Sequence, residues 1–376
     1  MKIILTLITI VSIMSSLFGQ SLSSKQVQNL ITKARKKFNI PAVAVTLINS
    51  DSIYVNELNG VRIFNTADEV TPNDMLHIGS CSKSVLAVAA AKLVESGEVS
   101  WDSKLFDILP ELKEASNSAY FEVTLEDLFL CEAGIKPYTS GEEEFPEIDS
   151  LVSNKRYEFI KYLLKQPPSS KPTSEGKFEH LYSNASYTMI AVMLERIDGL
   201  TYEDRIREML TNHFGITYYI GFPNKFKNDQ PWGHQIIGKN IRKFPPEDEY
   251  ELNSLLTPAG DLSMTPTNFA RYVQFHLKGL KGDDNYLRSS TIKQIHFGHQ
   301  GFSLGVINSQ WAGHTFSGMD GSAGTFFCRA ILISQSDFAF TIMMNAGSGT
   351  GRMKAVDWLT AKIVKKRFHW WWKFWL

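Results

Sequence analysis

Residues 77–84 read His-Ile-Gly-Ser-Cys-Ser-Lys-Ser and lead into the most apolar helix that the sequence predicts, Ser82 to Ser96, with Gly97 as its C-cap. Ser80 and Lys83 match the pattern S-x-x-K, which puts both side chains on one face of a helix. Burial at a helix start lowers the pKa of a lysine and makes it a usable base. A serine beside such a base is an activated nucleophile, and the backbone N–H groups of a helix N-terminus suit a developing oxyanion.

The same pattern also occurs at Ser174 and at Ser290, so the spacing alone does not identify a site. Ser174 falls in a loop rich in Pro and Ser, and Ser290 opens a predicted helix, where serine is a common N-cap. Ser80 differs because apolar residues precede it and an apolar helix follows it. From the motif alone, a capping serine beside a solvated lysine remains an equal alternative.

Tyr182-Ser183-Asn184 is a second candidate, because this Y-x-N pattern falls in a loop just before the helix predicted at residues 185–198. A phenol beside an ammonium group can transfer protons, and the amide of Asn184 can hold a substrate carbonyl. The pattern also occurs at Tyr54-Val55-Asn56, inside a predicted hairpin, where the tyrosine needs no function.

Segments typical of β-strands lie near both ends of the chain, and helical patterns lie between them. Residues 42–48 and 53–58 flank an Asn-Ser-Asp turn and predict a hairpin, while residues 302–345 alternate like several antiparallel strands. Residues 221–257 are rich in Pro, Gly, Asn and charge and predict a long loop. We therefore predict an α+β fold, in which an antiparallel sheet from both chain ends is flanked by helices and interrupted by a helical insertion. The outermost helices are predicted at residues 24–38 and 353–367.

The composition excludes several classes of protein. The 376 residues include 39 Lys and Arg, 39 Asp and Glu, and 43% hydrophobic residues, which excludes a disordered chain and a nucleic-acid partner bound through bulk charge. Three cysteines are too few for a disulfide scaffold, and their odd number leaves at least one thiol free or paired between chains. The nine histidines show no paired ligand spacing, so neither a metal nor a cofactor is expected.

The two ends of the chain carry separate signals. Residues 1–20 begin with Met1-Lys2, continue with an apolar run and end in smaller, more polar residues. This is typical of a secretory signal peptide, with an uncleaved anchor as the alternative. We therefore expect a periplasmic or secreted domain at residues 21–368. The Trp-rich tail, residues 369–376, follows basic residues; it either contacts a membrane surface or folds back on the body.

Taken in order, these motifs resemble the serine β-lactamase and penicillin-binding protein superfamily, and most closely its class C-like branch, which also holds DD-peptidases, amidases and esterases. The resemblance implies that Ser80 attacks a carbonyl and forms an acyl-enzyme, that Lys83 and Tyr182 share the proton transfers, that Asn184 orients the substrate, and that water releases the acyl group. The segments that resemble the family are residues 77–84, 95–102, 128–138, 181–184 and 258–262.

The third motif of that family is a Lys or His, one further residue and a Gly, on a strand that lines the cleft. Counting back from Asn345 puts Gly321 and Ser322 on the motif glycine and the residue after it, and Met319 on the position of the cation. The alternative, His314, lies five residues away from Met319. This odd offset points it to the opposite face of an unbroken strand, and only a bulge would bring it to the cleft, so Met319 is favoured. The resemblance then implies that the backbone N–H groups of Ser80 and Ser322 form the oxyanion hole.

Two departures from the family pattern bear on function. Methionine supplies no positive charge, and Asp320 is expected to repel a carboxylate, so we expect a neutral ester or amide as substrate, rather than a β-lactam or a D-Ala-D-Ala carboxylate. Cys131-Glu132-Ala133 stands where relatives often carry His-Thr-Ser, which we interpret as structural drift. Cys81 is interpreted as a small buried hydrophobic residue.

These observations favour an exported serine acyl hydrolase acting on an ester, amide or peptide bond of a small-molecule or peptide substrate. The alternatives are a catalytically inert binding or cell-envelope protein on the same fold, and a true β-lactamase or DD-peptidase. The oligomeric state stays open.

Overall fold

The computed structural model describes residues 22–368, apart from residues 142, 175, 239, 312–313 and 348–349. The predicted signal peptide, residues 1–20, and the Trp-rich tail, residues 369–376, lie outside the described residues.

A seven-stranded antiparallel sheet joins the two ends of the chain. Its strand order is β2-β1-β12-β11-β10-β9-β8, so the N-terminal strand β1 pairs with the last strand, β12, and Val43 lies opposite Met344. This confirms the predicted α+β fold with a sheet built from both chain ends. The strands are β1 (Ala42–Ile48), β2 (Ile53–Gly60), β3 (Leu76–His77), β4 (Tyr218–Ile220), β5 (Gly233–Ile237), β6 (Asn240–Phe244), β7 (Leu262–Met264), β8 (Phe302–Ser303), β9 (Val306–Trp311), β10 (His314–Ser322), β11 (Phe327–Ile333) and β12 (Phe338–Met344).

Helices cover both faces of this sheet. The α-helices are α1 (Ser24–Phe38), α2 (Ser82–Ser96), α3 (Leu105–Ile108), α4 (Leu125–Phe129), α5 (Lys155–Lys165), α6 (Asn184–Asp198), α7 (Tyr202–Arg207), α8 (Pro223–Phe226), α9 (Thr257–Gly260), α10 (Pro266–Lys281), α11 (Ser289–Phe297) and α12 (Thr350–Arg367). Helices α1 and α12 pack on one face, while α2, α10, α11 and the helical insertion pack on the other. Every residue of β1 and β12 is buried, because helices cover both faces of these central strands.

Helix α2 has the predicted bounds, and its high content of Ala, Val and Leu explains its central position. Eleven of its fifteen residues are buried, and Gly97 ends it in the left-handed conformation, with φ 80°, as expected for a C-cap glycine. No helix among the described residues is both long and apolar enough to cross a membrane.

One prediction about local structure is wrong. Residues 221–257 were expected to form a loop, but they contain α8 and the hairpin β5–β6. Each of these strands has only five residues, and tertiary contacts hold them: the backbone N–H of His234 donates to the carbonyl of Thr325, and His234 Nδ1 lies 2.8 Å from the carbonyl oxygen of Asn345. Such contacts leave no periodic signal in the local sequence.

Candidate active site

Ser80 lies in a short turn, Gly79–Cys81, that runs directly into helix α2. Gly79 has φ +53°, a backbone conformation that favours glycine, and the hydroxyl of Ser82 donates to its carbonyl at 2.7 Å. Both neighbours of Ser80, Gly79 and Cys81, are buried, whereas Ser80 itself is half-buried. The turn therefore presents one hydroxyl to solvent at the N-terminal end of a buried helix.

Lys83 is 1% exposed and follows Ser80 by one helical turn. Its Nζ donates hydrogen bonds to Oδ1 of Asn184 at 2.6 Å, to the carbonyl of Ala259 at 2.8 Å and to Oγ of Ser80 at 3.3 Å. Burial removes the ammonium group from water and lowers the pKa of Lys83 to about 7. Near neutral pH a large fraction of this amine is therefore unprotonated and able to accept a proton from Ser80.

The ring of Tyr182 lies beside the amine of Lys83. The centroid of its ring lies 4.7 Å from Nζ of Lys83, and 5.9 Å from that of Phe302. Burial raises the pKa of Tyr182, and its hydrogen bond with Ser80 acts in the opposite direction without reversing the shift. The phenol therefore stays protonated at neutral pH and can donate or relay a proton, but it does not act as a phenolate base.

Asn184 is the first residue of α6, and Ser183 caps that helix. A lysine ammonium only donates hydrogen bonds, so the amide atom that faces Lys83 is the oxygen. The amide Nδ2 donates to the carbonyl of Tyr138 at 2.8 Å, and the backbone N–H of Asn184 donates to the carbonyl of Pro137, also at 2.8 Å. Asn184 thus ties Lys83 to the turn at residues 137–138, while Nδ2 carries a second N–H for a substrate carbonyl.

Strand β10 lies directly against the Ser80 turn at Gly321 and Ser322. A Cβ at Gly321 would lie 1.8 Å from the carbonyl oxygen of Ile78, and a Cβ at Gly79 would lie 2.5 Å from the backbone nitrogen of Ser322. Only a glycine at each position permits this approach. Sequence reasoning singled out Gly321 and Ser322, and the fold brings both to the Ser80 turn.

The register of β10 separates Met319 from His314. The pairing with β11 runs without a shift from Ser317 to Ser322, and Met319 lies on the same side as Gly321, facing α2. Oγ of Ser84 lies 3.3 Å from Sδ of Met319 and donates its proton to the carbonyl of Cys81 at 2.7 Å. His314 lies on the opposite side of the strand, where its ring centroid is 5.3 Å from that of Phe368.

The expectation that Asp320 repels a substrate carboxylate is wrong. Neighbouring residues of a strand face opposite sides, so Asp320 points away from Met319 and Gly321. Its two carboxylate oxygens accept hydrogen bonds from Arg329 at 2.7 and 2.6 Å. The charge of Asp320 is therefore paired on the far side of the sheet, and the case for a neutral substrate rests on Met319 alone.

A further pair, His77 and Asp261, lies beneath the Ser80 turn and was missed as functional by sequence reasoning. Nδ1 of His77 accepts the backbone N–H of Gly79 at 3.0 Å, so its proton sits on Nε2, which donates to Oδ1 of Asp261 at 3.1 Å. Both side chains are buried. Asp261 follows helix α9, which contains Ala259, so the pair links the Ser80 turn to the carbonyl that accepts a hydrogen bond from Lys83. Both residues lie in segments that the sequence analysis names, residues 77–84 and 258–262. Only the contact between their side chains shows that the two segments are joined.

All three cysteines are described, and they are buried free thiols. Cys81 is fully buried, in agreement with its interpretation as a small hydrophobic residue. Cys131 has φ +57°, its Sγ accepts the backbone N–H of Ser183 at 3.4 Å, and burial raises its pKa to about 11. This thiol therefore shapes the loop before Asn184 and stays protonated at neutral pH.

The chain is similar to known proteins in sequence and in fold. The family model described as Beta-lactamase matches residues 27–365. A beta-lactamase of Yersinia enterocolitica is 23% identical over 211 residues, which are 56% of this chain and 50% of that protein. Penicillin-binding protein 4 of Amycolatopsis lactamdurans is 20% identical over 332 residues, 84% of each chain. Four curated relatives are matched over only 48% to 63% of their own length.

Solved structures show the same fold. A class C beta-lactamase superposes with a TM-score of 0.70 and 18% identity, covering 90% of this chain and 95% of that one. The octameric penicillin-binding protein homologue from Pyrococcus abyssi gives a TM-score of 0.69 and 18% identity, covering 91% of this chain and 78% of that one.

Proposed function

The chain belongs to the beta-lactamase family of serine hydrolases, and from this premise we propose that it is an exported serine acyl hydrolase with Ser80 as its nucleophile. One observation carries the proposal: the amine of Lys83 is buried, lies 3.3 Å from Oγ of Ser80, and has a pKa lowered to about 7 by desolvation. A solvated lysine beside a capping serine would have neither the burial nor the shift.

In the acylation step, Oγ of Ser80 forms a bond to the carbonyl carbon of the substrate while its proton passes to neutral Lys83. Collapse of the tetrahedral adduct breaks the bond to the leaving alcohol or amine. The leaving group takes a proton through the phenol of Tyr182, which its raised pKa keeps protonated. Water then attacks the acyl carbon, and Ser80 recovers its proton as the acid departs.

The negative charge that develops on the carbonyl oxygen needs two donors. The close approach of Gly321 to Ile78, and of Gly79 to Ser322, supports the backbone N–H groups of Ser80 and Ser322 for this role. The position of Ser80 at the N-terminal end of α2 adds the positive end of the helix dipole.

We assign a neutral ester or amide as the substrate class. Met319 occupies the strand position where the resemblance expects a cation, and its thioether, on the side of β10 that faces α2, offers no charge to a carboxylate. A substrate whose binding depends on an ion pair at this place therefore loses that interaction. Export to the periplasm or the medium is part of the proposal and is supported by the leader pattern of residues 1–20.

A fluorophosphonate probe tests the nucleophile. We expect the wild-type chain to be labelled and to cleave a chromogenic ester, and Ser80→Ala to do neither. Ser174→Ala and Ser290→Ala are matched controls, because both serines stand in the same S-x-x-K pattern. Labelling that persists in Ser80→Ala would overturn the assignment, and rapid hydrolysis of a chromogenic β-lactam would overturn the substrate class.

The competing function is a catalytically inert binding protein on the same fold, and Met319 is the observation that favours it. A wild-type chain that is folded, resists the probe and cleaves no ester would support that alternative. The third possibility, a true β-lactamase or DD-peptidase, predicts cleavage of the carboxylate-bearing substrates that a chain without a cation at position 319 should process poorly.

A further inference from the structure

Helices α1 and α12 carry a large part of the basic charge of the chain. Ser24–Phe38 contains five Lys and Arg and no Asp or Glu, and Thr350–Arg367 contains six Lys and Arg and one Asp. Because the whole chain has 39 of each sign, the remainder carries 28 basic against 38 acidic residues. The acidic residue, Asp357, pairs with Arg329 at 2.9 Å. A chain with no net charge therefore has one strongly basic pair of helices.

These two helices form one continuous surface. The rings of Phe38 in α1 and Trp358 in α12 contact each other, with centroids 6.2 Å apart. Nζ of Lys37 lies 5.2 Å from the Phe38 ring and 5.6 Å from the Trp358 ring, and Nζ of Lys362 lies 5.6 Å from Trp358. The basic face is defined by the exposed lysines of both helices: Lys25, Lys33, Lys36, Lys37, Lys354, Lys365 and Lys366.

The sequence after α12 indicates what kind of anionic surface fits. The last turn of the helix holds Lys365, Lys366 and Arg367, and residues 369–376 then read His-Trp-Trp-Trp-Lys-Phe-Trp-Leu. Tryptophan prefers the interface between lipid headgroups and acyl chains. Clustered lysines attract anionic lipids, and a combination of the two signals is typical of segments that lie on a membrane. A soluble polyanion would need the lysines but not four tryptophans.

We propose that the basic face binds the surface of an anionic lipid bilayer. Helices α1 and α12 pack on one side of the large sheet, and α2, which carries Lys83, packs on the other. Docking through the basic face therefore leaves the Ser80 site on the side of the sheet that is turned away from the lipid, open to substrates from the aqueous phase.

Co-sedimentation of the full chain with vesicles tests this proposal. One vesicle type is phosphatidylcholine alone, and the other also contains phosphatidylglycerol. We expect at least about tenfold stronger binding to the anionic vesicles, weakening as salt screens the charges. The face variant replaces Lys33, Lys36, Lys365 and Lys366 by Gln and should lose that preference. The matched control replaces four exposed lysines elsewhere, Lys155, Lys165, Lys171 and Lys293, by Gln and should keep it.

Thermal melting verifies that both variants are folded. The wild-type chain and every variant contain residues 1–20, so this segment does not account for a difference in binding between them. Deletion of residues 369–376 should weaken binding to anionic vesicles further than salt alone does, because the aromatic contribution is not screened. Three outcomes overturn the proposal: equal binding to both vesicle types, a folded face variant that binds anionic vesicles like the wild type, and binding to single-stranded DNA as tight as to the vesicles. The last outcome would assign a soluble polyanion instead.

Discussion

Nζ of Lys83 in α2 lies 2.6 Å from Oδ1 of Asn184 in α6. This hydrogen bond joins the helix that follows the Ser80 turn to the helix that follows Tyr182, so the two candidate motifs of the sequence meet at a single buried amine. The acid–base behaviour of the site is therefore set by residues a hundred positions apart.

Asn184 is expected to control the pH at which the proposed hydrolase activity appears. Activity should rise as pH rises through about 7, because Lys83 must lose its proton to accept that of Ser80. Asn184→Asp puts a carboxylate beside the amine of Lys83. The carboxylate raises the pKa of Lys83 and moves the rise in activity to higher pH. Asn184→Ala removes an acceptor of the ammonium form and moves it to lower pH. The measurement is kcat/KM against pH with a neutral ester. If kcat/KM rises at the same pH in both variants as in the wild type, Lys83 is not the base.

Removing the charge of Lys83 is expected to stabilise the fold below pH 7. The fall of its pKa from 10.5 to about 7 corresponds to roughly 5 kcal/mol, which is an upper limit, because Asn184 and Ala259 lose their donor in Lys83→Met. Between about pH 7 and 10 the unfolded chain holds a proton that the folded chain has released, so wild-type stability rises with pH relative to Lys83→Met.

Urea unfolding at several pH values measures this difference. The control is Lys92→Met, which changes an exposed lysine of the same helix, Ser82–Ser96, and should leave the pH dependence unchanged. A Lys83→Met variant whose stability follows that of the wild type across this range would mean that the lysine is solvated.

Gly321→Ala is expected to abolish most of the activity, because a Cβ 1.8 Å from the carbonyl oxygen of Ile78 forces β10 away from the Ser80 turn. Losing one oxyanion donor costs about 10²- to 10³-fold in kcat. Gly260→Ala is a matched control beside the same turn, since its Cβ would lie 3.5 Å from the nearest atom, in ordinary contact. Steady-state kinetics with thermal melting distinguishes displacement of the strand from unfolding, and equal activity of the two variants would exclude the proposed oxyanion hole.

Met319→Lys is expected to shift specificity toward substrates that bear a carboxylate. The new ammonium would lie on the side of β10 that faces α2 and would supply the missing charge, at a cost in stability because position 319 is 2% exposed. The expected readout is a rise of about tenfold in kcat/KM for a carboxylate-bearing substrate relative to its neutral ester. Met319→Leu keeps the size without the charge and should leave that ratio unchanged; a ratio that moves equally in both variants points to altered packing.

Asp261 is expected to act as a positioning residue through His77. Asp261→Ala removes the acceptor of the His77 Nε2–H and loosens the turn that carries Ser80, so kcat should fall about tenfold or more while KM changes little. Asp261→Asn keeps an oxygen acceptor and should recover much of the loss. A fall in melting temperature without a selective fall in kcat would reduce this pair to a structural role.

Most of the architecture followed from local patterns. The helix bounds at Ser82 and Ser96 were predictable, because an apolar run and a C-cap glycine are short-range signals. The placement of His314 and Met319 on opposite faces of β10 followed from the alternation of a strand. The hairpin β5–β6 was missed, since its short strands depend on contacts with residues distant in the chain.

The sequence by itself determined the family, the sheet made from both chain ends and the residues Ser80, Lys83, Tyr182 and Asn184, because order, spacing and periodicity are properties of the chain. Only the tertiary structure decided the surroundings of these residues. Burial of Lys83 lowers its pKa, and the close approach of two glycines to the opposite backbone brings β10 to the Ser80 turn. Arg329 pairs with the carboxylate of Asp320 on the far side of the sheet. Desolvation and close contact depend on distances in space, which no spacing along the chain specifies.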